Sequence, residues 1–175
     1  AQVAKDRGDL ERALWMSELA LKRAVNVGLL HYLKGQILFE KGDIANSVTS
    51  FKKSTQLDNS LTSAHIFLGQ IYFRDQDFDN AAKHFQEVIK KERFHQAALT
   101  GLAESYLQLK NPRAALDAYG RLASHYSSDG QYLRRIAEIY EANSNPSQAL
   151  GYYRELDEAQ GRGKIKMNLD RDVKT

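Results

Sequence analysis

Leu33 to Asp43 reads LKGQILFEKGD, and Phe67 to Asp77 reads FLGQIYFRDQD, nearly the same phrase 34 residues later. A fixed period of this length constrains the fold more than any other feature of the chain. A 34-residue unit cannot bury an apolar face alone, so successive copies must stack to share a core. Four series of single positions keep the period. Small residues recur at Gly35, Gly69, Ala103 and Ala137, and again at Ala13, Ser47, Ala81, Ala115 and Ala149. Aromatic residues recur at Phe51, Phe85, Tyr119 and Tyr153, and Leu38 continues as Tyr72, Tyr106 and Tyr140.

Asp9, Asp43, Asp77, Asn111 and Asn145 form a fifth series, of residues whose side chains accept from the free N–H groups at a helix start. The chain's 2 prolines, Pro112 and Pro146, each follow such a residue, where a missing N–H costs nothing. Behind each cap, apolar residues fall at helical spacing, as in Phe78, Ala81, Ala82, Phe85, Val88 and Ile89. The segments before the caps are helical as well: His65, Leu68, Gly69 and Tyr72, then Leu99, Leu102, Ala103 and Tyr106. Each unit therefore reads as helix, turn, helix, and the small positions are expected to let the two backbones approach where they cross.

This pattern resembles the tetratricopeptide repeat family, whose unit is a 34-residue helix–turn–helix with small, small and aromatic positions in this order. The resemblance spans residues 1–160: a truncated unit at 1–27 and full units at 28–61, 62–95, 96–129 and 130–160. It implies an all-α, right-handed α-solenoid. Some positions depart from the family pattern. His31, His65, Leu99 and Leu133 replace its opening aromatic, and Asn59, Arg93 and Ser127 replace its inter-repeat proline. Lys34 stands where leucine is usual, which predicts looser packing there. Beyond Ala159 the period stops, and residues 161–175 read as a capping helix presenting Ile165, Leu169 and Val173, or as a linker. Because Ala1 to Arg7 supply only half of a first helix, a longer parent protein is expected.

Composition excludes several functions. Without cysteine there is no disulfide, thiolate nucleophile or common structural zinc site. The net charge is only +3, and no segment concentrates basic residues as phosphate neutralisation would require. No apolar run approaches the ~20 residues that span a bilayer. A cytoplasmic location is the expectation, with the periplasm as the alternative. Asp75, Asp77 and Asp79 imitate the start of a calcium loop, but Asn80 and Gln86 stand where glycine and glutamate are needed, so capping is the better reading. Of the 5 histidines, His31 and His65 hold the same repeat position one unit apart, and neither has a carboxylate or second histidine three or four residues away, so packing is their expected role. No nucleophile elbow, phosphate loop or zinc-protease motif is present. The sequence predicts neither enzyme nor cofactor.

The resemblance does imply a binding surface, because first helices of successive repeats line a concave groove. Its positions here are Leu29, Tyr32, Gln36, Phe39 and Glu40; Ser63, Ile66, Gln70, Phe73 and Arg74; Ala97, Thr100, Glu104, Leu107 and Gln108; and Gln131, Arg134, Glu138, Glu141 and Ala142. One subclass of the family grips a C-terminal carboxylate with lysines, asparagines and an arginine. The matching residues here are Tyr32, Gln36, Phe67, Ala97 and Gly101, or one unit on Ile66, Gln70, Gly101, Gln131 and Arg135, so that clamp is absent. The expectation is a non-enzymatic scaffold that captures a peptide or helix of another protein. Phe39 and Phe73 would be its anchors, facing away from the core, and Gln36 and Gln70 would bond the partner. A self-associating array or spacer is the alternative. Trp15 and Leu19 define a second contact face, since every full unit places something non-aromatic and mostly polar at those positions.

Overall fold

The structure is a computed structural model describing the backbone of residues 2–127 and 130–172 and the side chains of residues 8–127 and 130–161. It is all-α. The described residues form nine helices: α1 (Gln2–Arg23), α2 (Gly28–Glu40), α3 (Ile44–Leu57), α4 (Thr62–Arg74), α5 (Phe78–Lys91), α6 (Gln96–Gln108), α7 (Pro112–His125), α8 (Gln131–Ala142) and α9 (Pro146–Asp172). They fall into two compact units, Ala1–Arg93 with α1–α5 and Phe94–Thr175 with α6–α9. The hairpins α2–α3, α4–α5, α6–α7 and α8–α9 carry the densest packing.

Each hairpin turns on one residue that does two jobs. The N–H of Asp43 donates to the Leu38 carbonyl (2.9 Å) and that of Gly42 to Phe39 (3.0 Å), which closes the end of α2 as a Schellman motif. The Asp43 carboxylate then accepts from the Asn46 N–H at 3.3 Å and caps α3. Asp77, Asn111 and Asn145 repeat this, accepting from Asn80, Ala114 and Gln148 at 3.2, 3.2 and 3.4 Å. The residue before each cap is left-handed, with φ of +82° at Gly42, +62° at Gln76, +56° at Lys110 and +59° at Ser144. Only the first is glycine; for the other three the two closing hydrogen bonds offset roughly 1–2 kcal/mol of left-handed strain.

Asp9 does not cap. α1 runs unbroken from Gln2 to Arg23, and Asp9 lies inside it. With helical backbone on both sides, the N–H groups ahead of Asp9 bond within α1, and no free donor remains for its carboxylate.

The small and aromatic series meet within the α2–α3 and α4–α5 hairpins. A methyl on Gly35 would stand 2.7 Å from the Phe51 ring, and one on Gly69 2.7 Å from the Phe85 ring. Each of these glycines seats a ring from the second helix of its hairpin. Around Phe51 the first unit gathers Ala64, Leu68 and Ile71, all essentially inaccessible. In the second unit Tyr119, Tyr132, Ile136 and Ile139, all buried, fill the equivalent positions two repeats on. The Lys34 ammonium pairs with Glu18 of α1 at 2.9 Å. α9 stays helical through Gly161 and Gly163, but the side chains of Ile165, Leu169 and Val173 lie outside the described residues.

Candidate functional site

Helices α2 and α4 of the first unit are two-faced. Gly35 and Leu38 of α2, and Leu68, Gly69 and Ile71 of α4, are buried on one side. Of the expected groove residues, Tyr32, Gln36, Phe39, Ile66 and Phe73 are half-buried and Gln70 is exposed, and Tyr32 turns to the core, with its ring 5.9 Å from Phe51 and 6.2 Å from Phe67. Phe39 was expected to face away from the core. Instead it packs against the Phe51 cluster, with its ring edge-on to Phe67 at 5.4 Å. The opposing aromatic on α4 draws it inward, since an edge-to-face pair gains about 0.5–1.5 kcal/mol beyond burial. One side of the ring remains available, and Arg74 places its guanidinium 5.9 Å from the centroid. Phe73 packs edge-on to Phe78 at 5.3 Å.

In the second unit the corresponding face is polar. Arg135 of α8 binds both carboxylate oxygens of Glu104 on α6, at 2.9 and 3.1 Å, and reaches Glu138 at 3.0 Å. The Tyr119 hydroxyl donates to the same Glu104. Burial, then the Glu104 hydrogen bond, holds the Tyr119 phenol well above its ordinary range. Hydrogen bonds with Tyr119 and Glu138 raise Arg135 further, so its guanidinium stays charged across the working pH range. Glu104 and Glu138, expected to meet a partner directly, are thus engaged with Arg135. Thr100 and Leu107 are half-buried and Arg134 is exposed.

A feature that helical spacing did not reveal lies within the α4–α5 hairpin. His65 Nε2 is 2.8 Å from the Asn59 side-chain oxygen, and His65 Nδ1 is 3.0 Å from His84 Nδ1. Asn59 Oδ1 can only accept, so Nε2 of His65 carries the proton and its Nδ1 is free to accept from His84 Nδ1–H. In this arrangement the His65 ring is neutral. Burial is the main cause that lowers both pKa values. For His84, reinforced by the neighbouring His65 and by Lys52, it brings the value down to about 4. Tyr72 stacks on His84 at 5.5 Å, nearly parallel. The partner stands 19 residues away, on the other helix, so a search along one helix could not find it. The available signal was that His84 departs from the small residues Ser50 and Ala118 at the same register position, as Tyr152 also does. His95 also does more than pack: its Nδ1 caps α6 by accepting from the Ala98 N–H at 3.2 Å.

On α1, Leu21 and Ser17 are buried and Leu10, Ala13 and Leu14 half-buried, whereas Trp15 is 65% and Leu19 39% exposed. Met16, which sequence reasoning passed over, is 64% exposed beside them.

Among the described residues no cluster of three or more potential ligands could hold a metal ion, and no helix is long and apolar enough to cross a membrane. A cleft of about 320 Å³ between α7, α8 and α9 is lined by Gly120, Leu133, Ile136, Tyr152 and Glu155 among others.

Among curated proteins, none is significantly similar to this chain in sequence. Solved structures show the same fold. A crystal structure of MamA superposes with a TM-score of 0.76 at 20% identity, covering 92% of this chain and 94% of that one. A second crystal structure of MamA protein gives 0.78 at 20% identity, with 94% and 90% covered. MamA 41-end from Desulfovibrio magneticus RS-1 gives 0.72 at 17%, with 92% and 91% covered. Sequence models of the tetratricopeptide repeat match residues 67–120 and 100–163, and residues 30–61. With a 34-residue period, four Schellman-closed hairpins and these matches over most of its length, the chain belongs to the tetratricopeptide repeat family of protein–protein interaction scaffolds.

Proposed function

We propose that the scaffold captures a peptide or helical segment of another protein on the open faces of its first helices. In the first unit Tyr32, Phe39, Ile66 and Phe73 supply apolar anchorage, and Gln36 and Gln70 bond the partner's amides. In the second unit Thr100, Leu107 and Arg134 remain available beside the Glu104–Arg135–Glu138 cluster. The observation that carries this reading is the Arg74–Phe39 contact at 5.9 Å. It places a cation of α4 over a ring of α2, so the two successive first helices present one continuous face away from their buried seams. A half-buried ring edged by a guanidinium and an exposed amide is the mixed surface on which binding energy concentrates.

The experiment is selection of peptides from a displayed random library by the purified chain, followed by titration calorimetry with the selected peptides. Each aromatic anchor contributes roughly 1.5–3 kcal/mol. Phe39→Ala combined with Phe73→Ala should therefore weaken binding by about two orders of magnitude. Since Phe39 also packs on Phe67, the double variant is compared at a temperature where its melting curve shows it folded. Exposed Gln70→Glu serves as the fold-neutral variant and should weaken the same peptides severalfold. Unchanged affinities in both would refute the reading.

A further inference from the structure

The outer face of α1 belongs to none of the seams above, and its charges are unbalanced in a specific way. Trp15, Met16 and Leu19 form an exposed apolar ridge. At helical spacing Arg12 stands one turn before it and Lys22 and Arg23 one turn after it, all three exposed and none in an ion pair among the described residues. The acidic residues nearest the ridge are already neutralised. Glu18 is paired with Lys34 of α2 at 2.9 Å and Glu11 with Lys41, the residue just after α2, at 2.7 Å. Asp9, at the N-terminal edge beside Arg12, is the remaining carboxylate of the described face.

We propose that this ridge is a docking site for an acidic amphipathic helix of a partner protein, distinct from the first-helix face. The span from Arg12 to Arg23 is about three helical turns, or roughly 16 Å, which matches one short helix lying along another. Apolar side chains at i, i+4 and i+7 of the partner would pack around Trp15 and between Met16 and Leu19. Carboxylates flanking that stripe would meet Arg12 at one end and Lys22 and Arg23 at the other. Tryptophan and arginine are the residue types that dominate such interfaces. A second copy fits poorly, because face-to-face pairing sets these three cations against their own copies. A flat anionic bilayer also fits poorly. The Glu11–Lys41 and Glu18–Lys34 pairs run along one side of the ridge, and an inserting membrane would have to desolvate them.

Trp15 is the chain's 1 tryptophan, so its emission reads the site directly. The probe is a synthetic helical peptide about 16 residues long, with leucines at i, i+4, i+7 and i+11 and glutamates flanking them. Its control carries lysines in place of the glutamates. The free chain should emit as an exposed indole, and the acidic peptide should shift that emission to the blue saturably, at least tenfold more tightly than the basic control. Arg12→Glu with Lys22→Glu and Arg23→Glu should weaken it thirtyfold or more. Trp15→Ala, followed by anisotropy of a labelled peptide, should do the same, while Phe39→Ala with Phe73→Ala should leave it unchanged. Four results would overturn the proposal: equal binding of both peptides; a blue shift with phosphatidylglycerol vesicles but not with peptide; a dimer in sedimentation that Trp15→Ala dissolves; or an emission already blue-shifted and quencher-protected in the free monomer.

Discussion

Phe51 and Tyr119 hold the same register position in the two units, and each reaches the next first helix at a residue 16 positions on. Phe51 stacks on Phe67, with centroids 4.9 Å apart and planes within 11°. Tyr119, with a hydroxyl more, joins Arg135 and Glu104 in a charged hydrogen-bonded cluster. One architecture thus carries two chemistries at the same joint. The ring pair gains from burying apolar surface and is insensitive to salt. The cluster gains strong charge-assisted hydrogen bonds, but desolvating its charges offsets much of that gain, so it is worth more for geometry than for stability. The repeat register fixes where a joint lies; the residue types decide whether it holds by packing or by polarity.

The sharpest way to break this comparison is Phe51→Ala. The ring is wholly inaccessible and fills the space over Gly35, so its loss should cost about 3–5 kcal/mol in chemical denaturation followed by circular dichroism. A loss below about 1 kcal/mol would mean that the joint can collapse and that the stacked pair is not what holds it. Next is Gly69→Ala, which would give the α4–α5 seam the small residue that the α6–α7 seam carries at Ala103. Alanine gains about 1 kcal/mol of helix propensity. Its methyl would press the Phe85 ring at 2.7 Å, and overpacking costs about 1–3 kcal/mol, so the net effect should be destabilising. A more stable variant would show that the two seams are interchangeable.

The third test concerns the histidines. Both have folded pKa values lowered from about 6.5, so between that value and about 4 the unfolded chain binds more protons than the folded one. The stability from the neutral pair is therefore complete above about pH 6.5 and is lost as pH falls toward 4. Allowing for partial exposure, the loss should be on the order of 1–2 kcal/mol. His65→Leu with His84→Ala copies Leu99 and Ala118 of the second unit and should flatten this acid branch in melts from pH 7 to about 4. An unchanged pH profile would exclude the pair as its source. The smallest effect is expected from Tyr119→Phe, which makes the second unit's joint resemble the first. Only one hydroxyl is lost and Glu104 keeps Arg135, so the cost should be about 1 kcal/mol. A loss above about 3 kcal/mol would mean that the hydroxyl organises the cluster rather than joining it.

Much of the fold was written in spacing. Capping residues at Asp43, Asp77, Asn111 and Asn145, with Pro112 and Pro146 after two of them, located the helix starts, because a cap works through donors only two or three residues away. The same reasoning failed at Asp9. A cap also needs the backbone to turn just before it, and Gly8 does not declare its backbone conformation through its identity. The left-handed residues Gln76, Lys110 and Ser144 were equally hidden, since only Gly42 has the composition such a turn favours. For the candidate site, spacing correctly put Gln70 outward and Trp15 and Leu19 at the surface. It misjudged Phe39, whose position depends on Phe67 of the next hairpin.

What the sequence determined by itself was therefore what repeats and what is local: the 34-residue unit, its helical pairs, the small and aromatic series, and the family. Helix periodicity and caps act within one or two turns, so they survive in a linear string. The tertiary structure decided what meets across helices, where no short-range rule reaches. It joined His65 to His84, put Phe39 against Phe67, gave Glu104 to Arg135, and paired Glu11 with Lys41 and Glu18 with Lys34 while leaving Arg12, Lys22 and Arg23 open. Each of these contacts joins side chains 16 to 31 residues apart or depends on such a contact, and their energies depend on distances that only packing sets.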